Sequence, residues 1–187
     1  MKKYILLFLL TLSMISYSQR SYNFEVLEGN IKDLKGIKNF SISFDQKNIS
    51  IEHQESEEEF LTMQTNKHPK FRENWVTAKK ETFEPRFIES FNKWYKRKGE
   101  SIIENSEYHI HIKIDWIFTG FNVVAINQYA KITATYTVTK KDNPNKILFK
   151  GKCERAKGGA SYDIIERVST SYFYLAKKIA TYIKRKS

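Results

Sequence analysis

The longest strict alternation in the chain runs from Tyr108 to Phe118. Tyr108, Ile110, Ile112, Ile114, Trp116 and Phe118 hold one set of positions, and His109, His111, Lys113, Asp115 and Ile117 hold the other. A period of two kept over that length predicts a strand with one buried and one polar face. Shorter alternations surround it. Phe40, Ile42 and Phe44 mark a strand over Phe40–Asp45, with Ile49 and Ile51 extending or pairing with it. Ala130, Ile132, Ala134, Tyr136 and Val138 alternate with Lys131, Thr133, Thr135 and Thr137 in another strand. The turn residues Asp142-Asn-Pro-Asn145 then return the chain as a strand over Lys146–Glu154. Tyr22–Val26 is a further short candidate.

Helical spacing fills the rest. Ser56-Glu-Glu-Glu59 is a capping box, in which the Ser hydroxyl and the Glu carboxylate three residues on satisfy each other's free amides. Phe71–Phe83 carries Trp75 and Ala78 at helical spacing. Pro85 suits the first turn of a separate helix, whose stripe is Phe87, Ile88, Phe91, Trp94 and Tyr95 and whose end falls at Gly99. Gly158-Gly159 breaks the last strand. Asp163 then caps a final helix to Lys184, with Glu166 at N3 and Ile164, Val168, Tyr172, Leu175, Ile179 and Ile183 on its buried side.

These elements predict an α+β fold, a two-layer sandwich. A mostly antiparallel sheet of about four to five strands is covered on one face by helices, and the face carrying His109, His111, Lys113 and the threonines meets water. The connection Thr119–Asn127 allows two readings. In one, the turn is only Gly120–Asn122 and the next strand begins near Val123, with Val124 and Ile126 in phase with Ala130. In the other, Phe121 and Val123 belong to an exposed apolar tip that meets a partner. The phase favours the first.

The N-terminus changes the picture from fold to address. Lys2 and Lys3 precede the apolar run Tyr4–Leu12, and Ser16-Tyr17-Ser18 offers small residues at a cleavage point. The expectation is a signal peptide over 1–18 and a single α+β domain over 19–187, periplasmic or secreted, with no membrane span in the mature chain. The chain has 32 basic and 21 acidic residues, and losing Lys2 and Lys3 with the leader lowers the net charge from +11 to +9. In an exported protein that charge points to an anionic envelope component or envelope protein rather than to nucleic acid. Solubility alone also accounts for it. On the final helix Arg167, Lys178 and Arg185 fall on one flank at 100° per residue, a candidate partner-binding band that Lys177 and Lys184 widen.

Leu34-Lys-Gly36, Asn39-Phe-Ser-Ile-Ser-Phe-Asp45, Glu57-Glu-Glu-Phe60, Phe83-Glu-Pro-Arg-Phe87, Phe91-Asn-Lys93, Gly120-Phe-Asn122 and Asn143-Pro144 follow in order along most of the mature chain. In these the sequence resembles a family of exported Bacteroidetes proteins without an assigned activity. The resemblance implies fold and localisation only. The layout is also similar to envelope domains of the LpoB and TolB amino-terminal kind, although the lipid-anchoring cysteine of the former is missing.

Catalytic chemistry has little to stand on. Gly-x-Ser-x-Gly, His-Glu-x-x-His, Cys-x-x-Cys and phosphate-cradling glycine loops are missing from the sequence. Cys153 is the sole cysteine, in an alternating strand that favours burial. His109 and His111 point the same way roughly 7 Å apart and are the candidate metal ligands, but a site needs a third partner. The leading expectation is an exported, non-enzymatic partner-binding domain with no catalytic residue, no cofactor and an open oligomeric state. The alternative is a small-ligand or metal-binding enzyme using the His109/His111 strand face.

Overall fold

A computed structural model describes residues 24–53, 55–96, 99–123 and 126–187. The proposed leader and Val124 therefore lie outside the described residues. The strands are β1 (Phe24–Gly29), β2 (Ser41–Asp45), β3 (Ser50–Ile51), β4 (Glu55–Ser56), β5 (Tyr108–Phe118), β6 (Phe121–Val123), β7 (Ile126–Gln128), β8 (Lys131–Lys140) and β9 (Asn143–Lys157). The α-helices are α1 (Glu57–Lys67), α2 (Phe71–Ala78), α3 (Glu84–Tyr95) and α4 (Ile164–Lys186).

The architecture is α+β, a mixed sheet packed with helices. The main sheet runs β1-β9-β8-β5-β3-β4, and β2 also pairs with β5. The β5–β8–β9 meander is antiparallel and adds β1 antiparallel at its edge. On the other side of β5, β2 and β3 both run parallel to it. The helices between β3 and β5 supply the long crossover that parallel pairing requires. Ile110, Ile112, Ile132, Ala134, Tyr136, Val138, Phe149 and Cys153 face one way and are fully buried. Against them lie Phe87 and Phe91 of α3 and Val168, Tyr172, Leu175, Ile179 and Ile183 of α4. Gly151 leaves room for that packing, since a Cβ there would come within 2.8 Å of the Tyr136 hydroxyl and 2.9 Å of the Phe149 ring.

The capping box forms as expected, with Glu59 N–H donating to Ser56 Oγ and Ser56 N–H to Glu59. Asp163 accepts from Glu166 N–H at 2.8 Å and starts α4. The middle helices differ from expectation. Lys79–Phe83 is a π-helical turn, so α2 and α3 form one continuous helical run rather than two helices. In an unbroken α-helix Phe87 would fall about 120° around the axis from Trp75. The extra residue of a π turn removes about 100° of that, aligning Phe87 and Phe91 with Trp75 on the core side. Glu84 N–H reaches back five residues to the Lys79 carbonyl, and Pro85, with no N–H, follows without leaving a donor unpaired. The run ends at Tyr95 with Lys96 as its cap, so Gly99 does not terminate it.

Strand β5 carries a second correction. Its pairing with β8 shifts between Ile114 and Trp116, a β-bulge that adds one residue. Beyond it the faces exchange. Ile117 is 1% exposed and belongs to the core, while Trp116 and Phe118 lie with the polar side chains.

Candidate binding face of the sheet

The helix-free face is built along β5, and its two halves differ. In the first half, parallel register sets Ser41 beside His109 and Ser43 beside His111. Ser41 Oγ lies 2.9 Å from His109 Nδ1, and Ser43 Oγ lies 2.8 Å from His109 Nε2 and 2.9 Å from His111 Nδ1. One proton assignment gives every donor an acceptor. Ser41 donates to the Tyr108 carbonyl, His109 Nδ1–H to Ser41, Ser43 to His109 Nε2, and His111 Nδ1–H to Ser43. Burial holds the His109 pKa below its ordinary value, with the positive influence of His111 and Lys141 adding to it. Among the described residues no three His, Cys, Asp or Glu side chains stand together as a metal site. The two candidate ligands are brought together, but with serines.

The second half is aromatic. Trp116 and Phe118 are near-parallel, with ring centroids 6.2 Å apart. Three cations stand over aromatic rings at this end: Arg155 at 5.6 Å from the Trp116 centroid, Lys131 at 5.4 Å from Phe118 and Lys157 at 4.1 Å from Tyr129. Trp116 Nε1–H donates to the Glu52 carbonyl at 2.8 Å. Asp115, on the bulge beside it, accepts from Thr135 Oγ1 at 2.7 Å. Two shallow depressions meet at Trp116 and Arg155. One is walled by Glu25, Leu27, Thr133, Thr135, Lys152 and Glu154, the other by Glu52, His53, Phe118, Gln128 and Lys131.

Two of the three described non-glycine residues with positive φ flank this tryptophan, Glu52 at 52° and Arg155 at 46°. An L-residue in that region stores roughly 1–3 kcal/mol of strain. Local bonds hold both in place. Arg155 N–H donates to Thr133 Oγ1 at 3.1 Å, Glu52 N–H to the Ile117 carbonyl at 2.9 Å, and Thr119 N–H and hydroxyl to the Glu52 carboxylate.

Next to this face, β6 and β7 form their own two-stranded hairpin rather than an early start of β8. Phe121, Val123 and Ile126 are 40%, 54% and 58% exposed. The tip of this connection is therefore exposed, as the second of the two readings has it. Gln128, which pairs with Phe121, also lines the groove, so hairpin and sheet face are contiguous.

Arg167 is a clear correction. It is 4% exposed, not on a solvated flank. Its guanidinium donates to the carbonyls of Thr119 (2.9 Å), Gly120 (3.2 Å), Ser161 (2.7 Å) and Tyr162 (2.9 Å). Around the first turns of α4 the hairpin root and the 161–162 loop cover a helix flank that lies open further on. Burial pulls the Arg167 pKa down from its ordinary value, and Asp163 and Glu52 partly offset that. Lys178 is half-buried and Arg185 exposed. Gly158 and Gly159 offer no free amides, because they donate to the Ala130 carbonyl and to Thr170 Oγ1, each at 2.8 Å. Cys153 is buried and its thiol pKa is pushed up to about 12, which keeps it protonated and unreactive.

Sequence reasoning missed Ser41, Ser43, Glu52 and Arg155 and put Trp116 and Phe118 on the wrong face. One signal was present: Ile117 is apolar in an otherwise polar phase, as a bulge just before it requires. Among the described residues no helix is long and apolar enough to cross a membrane. Comparison with protein-family models, curated proteins and solved structures gave no significant match.

Proposed function

We propose that this chain is an exported cell-envelope protein with a non-catalytic role. It binds a macromolecular partner on the helix-free face of its sheet, at the Trp116 end, with the hairpin residues Phe121 and Val123 as a rim. One observation carries the reading. A bulge turns two large aromatic side chains out of the core onto a polar face, beside Arg155, Lys131 and Lys157, which make no ion pair among the described residues. Interfaces concentrate large aromatic side chains and arginine, which Trp116, Phe118 and Arg155 supply here. The metal-enzyme alternative has less behind it, since Ser41 and Ser43 occupy both His109 nitrogens and one of His111.

The test is crosslinking in native cells, followed by purification of tagged wild type and of the Trp116→Ala/Phe118→Ala double variant. The expected result is a partner set held by the wild type and lost from a double variant that remains folded; identical sets refute the reading. N-terminal sequencing of the envelope fraction tests the address. A chain beginning at Gln19 is expected, whereas an intact N-terminus in the cytoplasm counts against export.

A further inference from the structure

Building on that reading, we infer that the face takes an acidic polysaccharide, its sugar rings against Trp116 and Phe118 and its acid groups on Arg155, Lys131 and Lys157. Four features of the face converge on this class. The three cations are unpaired among the described residues and follow one another along the same end of the sheet, over Trp116, Phe118 and Tyr129. Lys131 is in register with Phe118 on one side and Lys157 on the other, so the three cations stand together on the adjacent strands β8 and β9, beside the aromatic pair of β5.

The groove also holds Asp115, Glu52 and Glu25. Carboxylates accept hydrogen bonds from sugar hydroxyls and repel closely spaced anions, which favours a glycan whose acid groups are spaced along its chain over the continuous phosphate backbone of single-stranded nucleic acid. The third feature is extent. Lining residues come from β1, β9, β8, β5 and the end of β3, and four inter-strand gaps make a track of roughly 20 Å. That suits several linked rings better than one small molecule. The fourth is the backbone of Arg155. A bulge position with φ of 46° is one where glycine is the unstrained choice, yet it carries a guanidinium held over the tryptophan.

The experiment titrates the purified full chain with oligosaccharides of equal length: neutral, and bearing carboxylate, sulfate or phosphate groups. Poly-glutamate and oligothymidylate serve as polyanions without sugar rings and with nucleobases. Tryptophan fluorescence and calorimetry read the binding. At least one charged oligosaccharide should bind, and more tightly than its neutral counterpart and than poly-glutamate. Trp116→Ala and Phe118→Ala should each weaken it about tenfold, in line with one stacked ring. Arg155→Gly should weaken it severalfold without lowering the melting temperature, because glycine relaxes the backbone there.

Poly-glutamate binding as tightly as any glycan would reduce the face to charge alone and overturn the inference. Tighter binding of oligothymidylate, lost in Trp116→Ala, would replace the glycan with a nucleic acid. If no oligosaccharide binds while the double variant still loses its partners in cells, the glycan is refuted and the binding face stands.

Discussion

The two halves of β5 solve the same problem in opposite ways. Both present polar or amphipathic side chains on the face away from the helices. In the first half, Ser41 and Ser43 arrive on a parallel neighbour and occupy the ring nitrogens of His109 and His111, leaving His111 Nε2 as the one without a side-chain partner among the described residues. In the second half, the bulge at Asp115 brings out Trp116 and Phe118, and the cations above them make no ion pair among the described residues. One half is closed by its own hydrogen bonds; the other is left open. Buried or half-buried polar groups that are already satisfied gain little from a ligand, whereas unpaired cations over aromatic rings gain a partner at small cost.

The contrast depends on the bulge, and the largest effect tests it. Ile117→Ala should cost about 2–5 kcal/mol in denaturant unfolding, as expected of a fully buried isoleucine. Strict alternation would put Ile117 in water, and an unchanged midpoint would erase the difference between the halves. Next comes the clamp at the end of the open half. Arg167→Met should lower stability by about 1–3 kcal/mol, since four carbonyls lose a charged donor. Hydrogen exchange should speed up at Gly120 and through β6, and unchanged protection there would show that the hairpin root does not depend on Arg167.

A smaller effect belongs to the closed half. The folded-state pKa of His109 is depressed, so the unfolded chain takes up that proton first as pH falls. Its contribution is intact above the unfolded value of about 6.5 and is lost on acidification from there down through the folded pKa. Stability measured across that window should decline with falling pH in the wild type and be flatter in His109→Gln. Equal slopes would mean that the Ser–His chain does not couple protonation to folding. The smallest effect is a gain. Arg155→Gly should leave stability unchanged or raise it by up to about 1 kcal/mol. A clear loss would assign Arg155 a structural duty in place of an open one.

What could be read from the sequence was whatever is local. The alternation of β5 and β8, the capping box at Ser56, the Asp163 cap, the buried side of α4 and the burial of Cys153 all follow from spacing within one element. What could not be read depends on residues far apart in the chain. Ser41 and Ser43 matter only because β2 pairs in parallel with β5 across 68 positions. Arg167 sits on an open flank by helical geometry, yet it is buried because the hairpin root and the 161–162 loop converge on it. Arg155 gives no local hint of a left-handed backbone, since no glycine or asparagine marks the spot. The exposed hairpin could be read only as one of two options, because Phe121 and Val123 are as apolar as a buried strand.

The π turn at Lys79–Phe83 constrains how this chain can change over time. It amounts to a single surplus residue in a helical run from Phe71 to Tyr95. A one-residue deletion within it would leave a more regular helix and rotate everything downstream by about 100°, carrying Phe87 and Phe91 out of the core. The locally simpler helix is thus globally forbidden. Descendants of this sequence can vary the exposed Lys80 and Glu81 of the turn but neither the buried Phe83 nor the number of residues, so the segment should tolerate surface substitution and reject length change. An ordinary surface loop behaves otherwise, absorbing insertions and deletions with little penalty.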